Sequence, residues 1–214
     1  LTTVDHHPLI LLSSLPSVKI ENIMIKLPEF LGKCPLLVCA PMVDQSELAF
    51  RLLCRRYGTN LCYTPMLHSR MLITQKTYKD EHFTTCLQDR PLVAQLCGDD
   101  PETLLKAARM LENEVDAIDL NFGCPQGIAR RGHYGSYLLG EPDLIVRIVE
   151  TMSKGLKVPL FCKMRVLKTE EQTLELTRRI EKAGCSLLTV HGRTKEQNKE
   201  AVGTCNWDLI KKIK

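Results

Sequence analysis

Residues 92–126 read LVAQLCGDDPETLLKAARMLENEVDAIDLNFGCPQ, and this stretch decides the fold class. Leu92–Leu96 is a short apolar run broken only by Gln95, with the length and texture of a buried strand. Asp100 then precedes Pro101, a capping acid ahead of a first-turn proline, and the helical pattern runs on to Glu112. A second apolar run, Ala117–Leu120, leads into the polar segment Asn121–Gln126. Strand, helix, strand and polar loop make a βα unit.

Working outward, the same alternation recurs. Further strand runs are expected at Leu36–Ala40, Leu61–Tyr63, Leu160–Met164 and Leu187–Val190, with helices over Gln45–Tyr57, Pro142–Ser153 and Glu170–Lys182 and a last one from Trp207. Asp44 with Glu47 reads as a capping box for the first helix, Leu48, Leu52 and Leu53 share one of its faces, and Gly58 ends it. Repeated units of this kind favour a parallel α/β sheet with right-handed crossovers, either doubly wound or closed as a barrel. Periodicity does not choose between the two. Residues 36–214 hold no repeat, linker or low-complexity tract and read as one domain. The polar, proline-marked residues 1–35 read as an N-terminal extension.

The chain has 214 residues and a net charge of +4, with 44% hydrophobic, 25% charged and 5% aromatic residues, a soluble globular composition that does not by itself announce a nucleic-acid binder. Its ten cysteines include no C-x-x-C pair, which weakens zinc knuckles and thioredoxin-like chemistry, and no structural metal is expected. Several lie in apolar runs, as Cys39 does, where a reduced thiol acts as a small hydrophobe, so an intracellular setting, cytoplasmic and/or nuclear, is expected. No apolar run reaches the roughly 18 residues of a membrane span. Because the chain starts at Leu1 rather than Met, a piece of a longer or processed protein is expected. The dinucleotide fingerprint G-x-G-x-x-G, the phosphate loop, G-x-S-x-G and H-E-x-x-H are all absent.

Chemistry is therefore sought at strand ends. Cys124 is the sharpest candidate, set between Gly123 and Pro125; a thiol with an ordinary pKa of about 8.5 retains its proton near neutrality and suits proton donation. Lys163 lies in an apolar strand, where a cation needs an anionic neighbour, Asp119 among the choices. His191 offers an imidazole donor and Gln95 both a donor and an acceptor. Gly132–Gly135 reads either as a hinged loop or as a plain turn. Arg51, Arg55 and Arg56 and Lys211, Lys212 and Lys214 read as solvated groups, whereas Arg130 and Arg131 come soon enough after Cys124 to guide a polyanion.

Several ordered motifs together resemble the tRNA-dihydrouridine synthase family. They are Cys39-Ala40-Pro41-Met42-Val43-Asp44, Leu61–Met66, Gln95-Leu96-Cys97-Gly98, Asp119–Gln126, Cys162-Lys163-Met164-Arg165 and Thr189–Thr194. The resemblance covers about residues 36–214. Asp44–Ala49 and Arg131-Gly132-His133-Tyr134-Gly135 are similar to the eukaryotic branch acting on D-loop uridines sixteen and seventeen.

What the resemblance implies is a TIM-type (β/α)8 barrel that holds FMN at its mouth, recharged by NADPH or NADH, and reduces uridine in tRNA. Pro41, Met42 and Val43 would line the flavin, Gln95, Lys163 and His191 would contact it, and Cys124 would be the proton donor. Asn121 and Arg165 would neighbour flavin or uracil. Arg130 and Arg131 would meet RNA. Six strand candidates stand against the eight of a full barrel, so residues 36–214 are expected to be a partial barrel of about six βα units, without the glycine-rich loops after strands seven and eight or the family's C-terminal RNA-binding domain. Two other readings stay open: a flavin barrel acting on free pyrimidines, like dihydroorotate dehydrogenase, and a non-catalytic piece with residual RNA binding. The sequence assigns no oligomeric state.

Overall fold

A computed structural model describes Leu31 and residues 36–214. The strands are β1 (Val38–Cys39), β2 (Leu61–Tyr63), β3 (Leu67–His68), β4 (Leu92–Cys97), β5 (Ala117–Phe122), β6 (Leu160–Arg165) and β7 (Leu187–His191). The helices are α1 (Leu48–Arg56), α2 (Ser69–Thr74), α3 (Tyr78–His82), α4 (Pro101–Arg109), α5 (Gly127–Arg131), α6 (Pro142–Gly155), α7 (Glu170–Lys182) and α8 (Trp207–Ile213).

Local chemistry accounts for the helix ends. Asp100 accepts from the Thr103 amide at 2.8 Å and Pro101 occupies the first turn, so α4 starts where the sequence places it. Thr169 caps α7 through the Gln172 amide, with Glu170 and Glu171 in the first turn and Arg179 and Lys182 in the last, matching the helix dipole. The expected capping box on α1 is not formed. Asp44 takes a left-handed backbone (φ 58°), the cap position falls to Glu47 without a side-chain bond, and Ser46 instead holds the Met42 backbone through its hydroxyl.

All strand pairs are parallel, and the order β1-β2-β4-β5-β6-β7 advances along the chain without reversal. A doubly wound sheet reverses direction at a switch point. A sheet that only advances curls on itself, so the architecture is an incomplete TIM-type barrel. β3, two residues beside the top of β4, had no apolar run by which the sequence could show it.

The two faces of the sheet carry different cores. Leu92, Ala94 and Leu96, then Ile118, Leu120 and Phe122, then Leu160, Cys162 and Met164 face the helices and pack against side chains such as Leu104, Ile148 and Ile180. Inside the curl a smaller cluster joins Leu61, Tyr63, Val93, Ala117 and Phe161. Leu31 is buried in that inner cluster, although it belongs to the stretch read as an extension; the rest of residues 1–35 lies outside the described residues.

Arg51 departs from its solvated reading. It is 1% exposed, donates through Nε and Nη2 to Asp89 at 2.9 and 2.7 Å, and reaches the Ser46 and Thr84 carbonyls. It ties α1 to the loop before β4.

Candidate active site

Strand register places the inner-face residues in layers. Gln95, Asp119, Phe161 and Leu187 lie side by side; one step higher come Asn121, Lys163 and Thr189, and then Arg165 and His191. Below them the inner face is apolar. The polar groups named from sequence thus converge on the C-terminal mouth of the curl, where barrel chemistry sits.

A hydrogen-bond chain runs through the first two layers. Gln95 Nε2 donates to Asp119 Oδ2 at 2.7 Å, Asn121 Nδ2 donates to Gln95 Oε1 at 2.8 Å, and Asn121 Oδ1 accepts from the Gly123 and Cys124 amides, both at 2.9 Å. Direction is fixed from the Cys124 end, because a backbone amide only donates and so leaves the Asn121 amide group to point at Gln95. Gln95 is 1% exposed and Asp119 0%, so the chain is internal, and Asn121, half-buried, is the member that reaches the mouth.

Cys124 lies just beyond β5 in a turn held from both sides. Its amide is bound by Asn121, and its carbonyl accepts from the Ser136 amide at 3.0 Å and hydroxyl at 2.9 Å. Tyr137 donates to the Pro125 carbonyl at 3.1 Å. The side chain is half-buried against Cys97, Ala129 and Tyr134. Gly135 adopts φ +67°, and a Cβ there would stand 2.7 Å from the Cys124 carbonyl oxygen, so only glycine lets the chain pass this close. Gly135 was read from sequence only as part of a hinged loop or plain turn, and Ser136 and Tyr137 were not singled out. Their spacing from Cys124 carries no signal until the segment is seen folded back onto the turn.

Lys163 is half-buried, and its ammonium has no hydrogen bond or ion pair among the described residues. Burial pulls its pKa below the ordinary ammonium value, Asp119 opposing this and Arg165 adding to it. Burial raises Asp119 to about 7, with the Gln95 bond and the Lys163 charge acting against the rise. Its Oδ1 has no hydrogen-bond partner among the described residues.

His191 is lowered to about 4 by burial and by the charges of Arg165, Lys163 and Arg193, so it is neutral at pH 7. With the Arg193 guanidinium 3.3 Å from Nε2, the proton is assigned to Nδ1. Arg165 spends its guanidinium on backbone carbonyls, Gly123 at 2.8 Å, Thr194 at 3.0 Å and Gln197 at 3.3 Å, and so braces the Cys124 turn to the loop after β7.

Of the remaining candidates, Pro41 and Met42 are half-buried after β1 and Val43 is exposed. Arg130 and Arg131 are exposed at the end of α5, one helix beyond Cys124. His191 and Arg193 also border an open cavity of about 600 Å³ with Cys205 and Trp207. Another cavity, about 430 Å³ between α6 and α7, is lined by Leu139, Leu167 and Leu176 and contains none of the candidates. No group of metal-binding side chains occurs among the described residues.

The profile of the dihydrouridine synthase (Dus) family matches residues 38–214. The chain belongs to the dihydrouridine synthase family. It is 49% identical over 183 residues to the NAD(P)(+) tRNA-dihydrouridine(16/17) synthase of Saccharomyces cerevisiae, covering 84% of this chain and 43% of that protein. The corresponding Mus musculus protein is 50% identical over 179 residues, covering 83% and 38%. A Homo sapiens tRNA-dihydrouridine(20a/20b) synthase-like protein is 38% identical over 180 residues, covering 83% and 56%. The chain therefore spans about half or less of the length of these relatives.

Proposed function

We propose that this chain carries the catalytic half of an NAD(P)H- and FMN-dependent reductase that converts uridine to 5,6-dihydrouridine in the D-loop of tRNA. The observation that carries the reading is the Cys124 turn, fixed by Asn121 on one side and Ser136 on the other, at a mouth lined by Lys163 and His191.

The donor set fits a flavin. Lys163 offers an ammonium with no partner among the described residues, His191 an Nδ1–H and Asn121 its remaining amide hydrogen, all suited to the carbonyl oxygens and ring nitrogens of an isoalloxazine. Gln95 would support that surface from behind, and Pro41, Met42 and Val43 would form an edge of it. The chemistry supplied there by FMN, once bound and reduced by NADPH or NADH, would be a hydride for C6 of uracil.

The chain's own residues do the rest. Cys124 Sγ holds the proton that goes to C5, and its turn fixes where that proton is offered. Lys163 balances negative charge in a half-buried site, where the charge of Asp119 helps to keep it protonated. Arg165 keeps the Cys124 turn in register with the loop carrying Thr194. The target base has to leave its stack to reach the mouth, at a cost of a few kcal/mol that is smallest in an open loop. Arg130 and Arg131 would meet the phosphates beside it. The nine described cysteines are free, which supports an intracellular setting.

Purified chain is assayed with FMN, NADPH and unmodified tRNA, alongside Cys124→Ala. Dihydrouridine formed by wild type and reduced at least 100-fold in the variant supports the reading. Full turnover in Cys124→Ala removes the proton-donor role. Reduction of free orotate or uracil but not of tRNA transfers the chain to the dihydroorotate dehydrogenase-like reading. A colourless chain with no product would mark it as a non-catalytic piece.

A further inference from the structure

The segment Gly132–Gly135 takes no part in the proposed chemistry, yet it packs against the Cys124 turn. His133 sits in it with a left-handed backbone (φ 52°), uncommon for a residue with a side chain. Its ring is held at both nitrogens: Nδ1 lies 2.8 Å from Asp99 Oδ2, in the loop between β4 and α4, and Nε2 lies 2.6 Å from Glu141 Oε1, just before α6. Neutral imidazole has one N–H, so it satisfies only one of two carboxylates and turns a lone pair on the other. Imidazolium donates to both.

The residues immediately C-terminal to His133 connect it to the turn. Gly135 rests on the Cys124 backbone, Ser136 gives its amide and hydroxyl to the Cys124 carbonyl, and Tyr137 bonds the Pro125 carbonyl. Two loops, one before α4 and one before α6, thus anchor a short segment whose far end bonds the turn.

We propose that His133, bonded to Asp99 and Glu141 together, is a positioning residue: a clasp that holds residues 132–137 against the Cys124 turn and so fixes the backbone from which the thiol projects. The importance of that thiol rests on the reductase reading; the clasp does not. Charged and titratable groups around it are Asp99 and Glu141, Arg70 on α2 at 3.9 Å from the other Asp99 oxygen, His68, which feels the charges of Arg70 and Asp99, and Arg130 and Arg131 at the end of α5. The Glu141 and Asp99 bonds raise the His133 pKa above its ordinary 6.5. The clasp is therefore closed at pH 6 and opens as pH rises through that raised value.

Hydrogen exchange at the Ser136 amide, on the whole chain without tRNA or flavin, reads the clasp directly. His133→Asn keeps a residue that tolerates the left-handed backbone but removes the cation. At pH 6 the Ser136 amide of this variant exchanges at least five-fold faster than in wild type, while the amide of Leu120 in β5 is unchanged. Wild-type protection, corrected for base-catalysed exchange, falls as pH rises, and the variant shows no such step. Asp99→Ala with Glu141→Ala, which leaves His133 in place but removes both of its partners, gives the same loss. An effect below five-fold in either variant, or a pH step retained without His133, overturns the proposal. Neither result depends on turnover, so failure of the clasp is distinct from failure of the reductase reading.

Discussion

Gly135 is the residue on which the Cys124 turn closes. Two penalties meet in Gly135→Ala: a left-handed φ of +67° and a methyl group placed 2.7 Å from the Cys124 carbonyl oxygen. Backbone strain of about 1 kcal/mol and overpacking of about 1–3 kcal/mol combine to a destabilisation of about 2–4 kcal/mol. Urea unfolding measured by circular dichroism reads it, and a loss below about 1 kcal/mol would show that the turn relaxes freely. The sequence exposed Cys124 because glycine and proline beside a strand-end cysteine is a local pattern. It hid Arg51, since a basic residue on an amphipathic helix looks solvated until a carboxylate 38 positions away, Asp89, is brought against it. Such pairing is written only in the folded chain.

Elements were legible where the signal is local. The helix Glu170–Lys182 ends where its glycine places it, and β2 has the expected bounds. β1 is shorter than its apolar run, and β3, α2, α3 and α5 were missed, because pieces of two to six residues are too short to show a period. The layer formed by β4, β5 and β6 was readable as alternation, but its internal hydrogen-bond chain was not, since register between strands decides which polar groups meet. That layer has a pH signature. The buried Asp119 releases its proton at about 7, whereas the unfolded chain releases it near 3.8. Between these values the folded chain binds the extra proton, so this group makes stability fall as pH rises through the window. Asp119→Asn still accepts from Gln95 but has no proton to hold. Between pH 4.5 and 7.5 the wild type should therefore lose unfolding free energy relative to the variant, by on the order of 2–4 kcal/mol. An identical pH dependence in both proteins would place the Asp119 proton elsewhere.

At the scale of the whole molecule, the strand order that settles a barrel over a doubly wound sheet is a long-range property, beyond periodicity. It also arranges charge. The chain carries only +4, spread over 29 basic and 25 acidic residues, so no global field draws in a polyanion. On the proposed reading, this chain's affinity for RNA would come from local phosphate contacts near the mouth, and the exposed pair Arg130–Arg131 ends the short helix α5 that follows the Cys124 turn. Each phosphate neutralised releases counterions, so the logarithm of the binding constant falls linearly with the logarithm of salt, by a slope of roughly 0.7–0.9 per contact. Arg130→Ala with Arg131→Ala removes two such contacts if both meet the backbone. The slope measured by filter binding of tRNA over a salt series should then decrease by about 1–2, with affinity falling most at low salt. A variant whose slope matches wild type would move the RNA path away from α5, because two solvated arginines that touch no phosphate release no counterions when tRNA binds.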